Sequence, residues 1–131
     1  MVGIDSNVLV RYLAQDDPRQ SARATRLLEH ELTEREPGYL SLVVLVETCW
    51  VLRRLYAASP GEIRATVRDL LDARQLTVEN RNVVARALAR LDATAGDIAD
   101  ALIVELAIAA GCRRVVSFDR DATKLGMVLL Q

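Results

Sequence analysis

The chain has 131 residues, 51% of them hydrophobic, and a formal net charge of −1. That length suits one domain, residues 1–131, with a sizeable core, and that apolar content excludes a disordered chain. No apolar run is longer than Leu42 to Val46, far too short to span a bilayer.

Val2-Gly3-Ile4-Asp5 reads as a short buried strand, beginning at once without the basic leader and long apolar segment of a signal peptide. Asn7 to Leu13 follows with helical spacing. Asp17-Pro18-Arg19-Gln20 has the form of a helix start, Asp as cap and Pro at the first position, and Glu36-Pro37-Gly38 breaks that helix. Tyr39-Leu40 is a minimal strand, and Ser41 caps a helix over Leu42 to Tyr56. Ser59-Pro60-Gly61-Glu62 is a capping box opening a helix to about Ala73. Leu76-Thr77-Val78 is a strand, and Val83, Val84, Ala87, Leu88 and Leu91 mark a helix over about Asn82 to Ala93.

Thr94-Ala95-Gly96-Asp97 then reads as a capping box for a helix to Ala110, stopped by Gly111. Arg114 to Ser117 is a strand ending near Asp119, followed by a short helix around Ala122 to Leu125 and a strand over Met127 to Leu130. Short apolar strands alternating with helices predict an α/β fold with a parallel sheet.

Four carboxylates occupy unusual places in this scheme. Asp5 and Asp119 each end an apolar strand, where open α/β sheets bind ligands, although a helix cap explains either position equally well. Glu47 lies in a helix apolar around nearly its whole circumference, which predicts a buried acid needing a metal or an ion-pair partner. Asp100 lies among Ile98, Ala99, Ala101, Leu102 and Ile103, while Glu105 points about 140° away, onto another face. Asp97, three residues before Asp100, shares its face but also serves as a capping-box acid. Converging carboxylate oxygens from separate elements are what a hard divalent cation requires.

Other chemistries find little support. The single histidine, His30, sits in a charged run and is expected in solvent, which removes His-based nucleophilic catalysis and His-rich zinc sites. No glycine-rich phosphate loop occurs. Trp50 and Tyr56 are expected in the core or an interface rather than as a base-stacking platform, and Cys49 and Cys112 as reduced thiols of a cytoplasmic protein. Every basic residue except Lys124 is arginine, a bias that suits phosphate contact and is also produced by GC-rich coding sequence.

Four segments in this order resemble the PIN-domain family, and within it the VapC-type toxin ribonucleases of prokaryotic toxin–antitoxin pairs. They are Ile4-Asp-Ser-Asn-Val-Leu-Val10, Val44-Leu-Val-Glu47-Thr-Cys-Trp, Asp97-Ile-Ala-Asp100-Ala-Leu102 and Ser117-Phe-Asp119-Arg-Asp-Ala122. The resemblance covers essentially the whole chain. It implies a three-layer α/β/α fold around a central parallel sheet, a homodimer and a cognate antitoxin whose tail occludes the acidic pocket. It implies that Asp5, Glu47, Asp100 and Asp119 are the catalytic, metal-binding quartet. Asp97 would be an auxiliary acid, and Ser6, Asn7 and Ser117 polar supports.

The expected activity is Mg²⁺-dependent hydrolysis of RNA phosphodiester bonds, with Mn²⁺ as a substitute. Two rival readings remain. A catalytically silent metal-binding or antitoxin-docking module would keep the acids without turnover. A haloacid-dehalogenase-type phosphatase would need a second acid where Asn7 stands.

Overall fold

The computed structural model describes residues 1–131 and divides into two compact units, Met1–Glu79 and Asn80–Gln131. The first unit is α/β. Its strands β1 (Val2–Gly3), β2 (Gly38–Leu40) and β3 (Leu76–Val78) form a parallel sheet whose spatial order is the chain order. Val2 pairs with Gly38, and Gly38 with Leu76. Parallel neighbours need crossover connections, supplied here by helices. These are α1 (Ser6–Ala14), α2 (Pro18–Arg26), α3 (Leu42–Tyr56) and α4 (Pro60–Asp72). Leu9, Leu28, Leu40, Leu45 and Val67 are fully buried and form the heart of this unit's core.

The helix starts obey the capping chemistry of the sequence. Asp17 accepts hydrogen bonds from the Arg19 and Gln20 amides, at 3.1 and 2.9 Å, with Pro18 in the first turn. Ser41 accepts from the Val44 amide at 3.1 Å. Ser59 and Glu62 complete a reciprocal capping box. Beyond Arg26 the chain passes into a π-helical turn, Leu27–Glu31, before it straightens at Leu32. The wider spacing of that turn is invisible in a pattern of apolar residues that suits either helix type.

The second unit holds α5 (Arg81–Ala93), α6 (Ile98–Ala109), a 3-10 turn (Asp121–Leu125), and two parallel strands, β4 (Val116–Ser117) and β5 (Val128–Leu129). Val84, Ala87, Ala101, Leu102 and Leu125 are buried between its elements. The start of α6 differs from expectation: Asp97 is itself the cap, accepting from the Ala99 amide at 2.7 Å. Thr94 instead closes α5, its amide donating to the Arg90 carbonyl at 3.0 Å. Asp ranks above Thr as a helix cap, so the Asp takes the position.

The fold class is therefore α/β with parallel strands. No helix is long and apolar enough to cross a membrane. One burial expectation narrows and another fails. Trp50 and Tyr56 are 56% and 37% exposed, so of the two places expected for them, core or interface, the core is excluded. Glu47, expected inside an all-apolar helix, is exposed. The reason is shared: α3 buries Leu45, Thr48, Cys49 and Leu52 and leaves Val43, Glu47, Trp50 and Arg54 on its outer stripe.

Candidate functional site

In the first unit, the acid that ends β1 is a helix cap. Asp5 has an extended backbone, and one carboxylate oxygen accepts from the Ser6 amide at 2.8 Å. The side chain is exposed, so its other oxygen is open to a ligand. Ser6 turns its hydroxyl the other way and donates to Glu47 Oε1 on α3. Asp5, Ser6 and Glu47 are thus joined through Ser6, whose amide donates to one acid and whose hydroxyl donates to the other. Asn7 takes no part in this group. It lines a separate cleft of about 600 Å³ between α1 and α2, together with Arg11, Gln20 and Arg23.

In the second unit, the charges of Asp97 and Asp119 act on Asp100. Asp119 ends β4, and its carboxylate accepts from the Asp121 amide at 2.9 Å, while its own amide donates to Ser117 Oγ at 3.0 Å. Ser117 therefore shapes the turn that presents Asp119. Asp100 stands in the first turn of α6, partly buried, and its carboxylate takes no hydrogen bond from another residue. Burial pushes its carboxyl above the ordinary value, and the neighbouring charges of Asp97 and then Asp119 push it further. Both effects disfavour a bare carboxylate. A divalent cation reverses them, because it replaces like-charge repulsion with attraction.

The donor set fits a hard cation in chemistry: every member is a carboxylate. No three His, Cys, Asp or Glu side chains close into a ready-made cage. Mg²⁺ does not need one, since it keeps several waters and takes only one or two protein carboxylates. Asp97 is engaged in capping through one oxygen, which leaves Asp100 as the acid with no competing bond.

The buried acid of this protein is Glu105, which the sequence pattern only placed on another face. It is 5% exposed and paired with Arg90 at 2.5 Å and Arg86 at 3.2 Å, both on α5. Arg90 also donates to the Leu125 carbonyl at 3.1 Å, anchoring the turn that follows Asp119. Arg86 and Arg90, four residues apart on one helix face, were the available signal for this partner. Thr48 is the other buried polar residue of note, its hydroxyl without any partner.

None of the curated proteins compared with the chain matches it. A family model described as the PIN domain matches residues 2–127, which takes in both units and all four acidic positions. Members of that family are generally nucleases, that is, hydrolases. With its parallel α/β elements in that order and a match over nearly its full length, the chain belongs to the PIN-domain family.

Proposed function

We propose that this protein is a metal-dependent endoribonuclease of the VapC type, acting in the cytoplasm as the toxin of a toxin–antitoxin pair. Asp5, Glu47, Asp100 and Asp119 are its metal-binding and catalytic acids, with residues 1–131 forming one functional domain. The observation that carries the reading is Asp100: a half-buried carboxylate, without a hydrogen bond, set against Asp97 and Asp119. A group in that state is poised for a cation.

Bound Mg²⁺ or Mn²⁺ supplies charge for the scissile phosphate and lowers the pKa of an attacking water. The chain's own residues do the rest. Ser6 fixes the direction of Glu47 through its hydroxyl hydrogen. Asp97 holds the first turn of α6 and adds negative charge beside Asp100, which strengthens that acid as a ligand. Ser117 and the Asp121 amide orient Asp119. No side-chain general base is required, in keeping with an exposed His30 as the only histidine.

The reading is supported by the family match and by the four motifs in order, and it includes a homodimer and a protein antitoxin as partners. Purified protein incubated with single-stranded RNA and Mg²⁺ should yield fragments, and EDTA should stop the reaction. Asp100→Asn and Asp5→Asn should each lower cleavage at least a hundredfold. Cleavage unchanged in both variants overturns the site. A wild-type chain that binds Mn²⁺ yet cuts no RNA would instead be a silent binding module.

A further inference from the structure

The 3-10 turn Asp121–Leu125 begins with the amide that holds Asp119, the Asp121 N–H donating to Asp119 Oδ1 at 2.9 Å. The seat of that turn therefore governs where Asp119 points. No hydrogen bond joins Asp119 to Asp100, so the gap between the two acids depends on what fixes the turn against α6.

Three contacts fix it. Ala122 and Met127 share a buried cluster with Val104 of α6. The Leu125 carbonyl accepts from Arg90 Nη1 at 3.1 Å, and the same guanidinium donates through Nε to Glu105 of α6. The Leu125 side chain, 2% exposed, lies on Gly96, the residue before the α6 cap.

Gly96 stands out among them. Its φ is not positive, so its backbone makes no demand for glycine. Alanine would leave the unfolded chain less freedom and so favour folding. A Cβ there, however, would stand 2.7 Å from Leu125 Cδ1, 3.0 Å from Cγ and 3.1 Å from Cδ2. Leu125 would have to retreat by roughly 0.7 Å to reach ordinary contact at 3.4 Å, more than the about 0.5 Å within which a binding constellation must be held. What the glycine secures is close approach, of the turn to the start of the helix that carries Asp100.

We propose that Gly96 and Arg90 are positioning residues of the acidic site: they clamp the Asp121–Leu125 turn onto α6 and so set the spacing of Asp119 and Asp100 for a divalent cation. The inference rests on the metal-dependent reading and adds the residues that keep the site's geometry. Neither supplies a ligand; both act through Asp119. Without a cation the negative charges of Asp100 and Asp119 repel, and the clamp resists that push. Arg90 suits the task because its planar fork joins Glu105 and the Leu125 carbonyl at once, in a fixed geometry that a lysine ammonium lacks.

Full-length protein, freed of metal, is titrated with Mn²⁺, and the free ion is followed by electron paramagnetic resonance. Gly96→Ala and Arg90→Lys should each raise the Mn²⁺ Kd about 10- to 100-fold, the usual effect of losing a support one step behind a metal ligand. The Mg²⁺ concentration for half-maximal RNA cleavage should rise by the same factor, with excess Mg²⁺ restoring most of the rate. Arg86→Ala is the control, since Arg86 pairs with the same Glu105 and makes no bond to the turn. Its Mn²⁺ affinity should stay within about twofold of wild type, because that pair is screened by solvent. Circular dichroism checks that each variant is folded. If Gly96→Ala does not fold, Arg90→Lys decides, because it adds no atom against Leu125.

Folded variants that bind Mn²⁺ like wild type overturn the proposal, and leave the ribonuclease reading standing where wild type cuts RNA. So does Arg86→Ala matching Arg90→Lys, because affinity then follows the Glu105 pairs rather than the seat of the turn. Both variants unfolded overturns it too, since the contacts then hold the fold alone. Weakened Mn²⁺ binding in a chain whose wild type cuts no RNA supports the clamp and counts against the ribonuclease. A wild type that binds no Mn²⁺ overturns both.

Discussion

Ser6 and Glu47, 41 residues apart in sequence, share a hydrogen bond in which the serine hydroxyl donates to the carboxylate. The bond joins the first turn of α1 to the outer stripe of α3. It matters because Glu47 is exposed and would otherwise sample several rotamers. Ser6→Ala should leave stability within about 0.5 kcal/mol, since the contact lies at the surface. It should lower RNA cleavage about tenfold by loosening Glu47, because small misplacements of a reacting group are expensive. Thermal melts and steady-state cleavage with Mg²⁺ check the two halves. An unchanged kcat would mean that Glu47 is held by something else.

Asp100 gives a prediction for pH and for metal. Its carboxyl is raised from the ordinary 3.8, so the folded chain keeps this proton at pH values where the unfolded chain has lost it. That contribution to stability is fully present below 3.8 and is lost as pH rises through the elevated value. Without metal, Asp100→Asn should therefore melt higher than wild type at neutral pH, and the difference should shrink in acid. Mg²⁺ or Mn²⁺ should raise the wild-type Tm and raise that of the variant less. Equal shifts in both proteins would remove Asp100 from the metal-binding set.

Glu105 is a structural acid, and its substitution should show it. Glu105→Ala leaves Arg90, only 32% exposed, without its partner, and should cost about 3–5 kcal/mol in urea denaturation. Glu105→Gln keeps hydrogen-bond acceptance and should cost less. Arg86→Ala should cost under about 1 kcal/mol, because Arg86 is 53% exposed and solvent screens the pair. If Arg86→Ala proved as damaging as Glu105→Ala, the triad would be more cooperative than its exposure implies.

Thr48 offers a stabilising change. Its hydroxyl is buried without a partner, while valine has the same branched shape and suits the same helical rotamers. Thr48→Val should gain about 1 kcal/mol by removing an unsatisfied polar atom. A loss of stability would mean that the hydroxyl has a partner in solution, a buried water being the simplest.

Much of the architecture is legible in the chain because capping chemistry is local. Asp17-Pro18 and Ser59-Pro60-Gly61-Glu62 mark helix starts through contacts spanning three residues, and the structure makes those contacts. Burial is less legible because it depends on which neighbour arrives. The apolar residues of α3 surround the helix, so nothing within it tells that Leu45 and Leu52 turn inward while Val43 and Trp50 turn out. Glu47 therefore reads as buried and is exposed, whereas Glu105 reads as merely facing elsewhere and is buried. The partners that permit Glu105 inside lie on a different helix, beyond the reach of any local pattern. At Asp5 the two readings, cap and ligand, do not exclude each other, since a cap spends one carboxylate oxygen on an amide and keeps a second.

The spatial order of the first unit's strands has a consequence for synthesis. Val2 waits for Gly38, Gly38 waits for Leu76, and none of the three strands waits for a residue beyond Glu79. Translation releases the chain from its N-terminus, so each new strand can add to the edge left by the last. The sheet can grow in the order in which the ribosome delivers it, without threading a late strand between two early ones. Asp100 and Asp119 emerge only afterwards. A nascent chain therefore carries Asp5 and Glu47 while its first sheet is closing, and gains Asp100 and Asp119 only later.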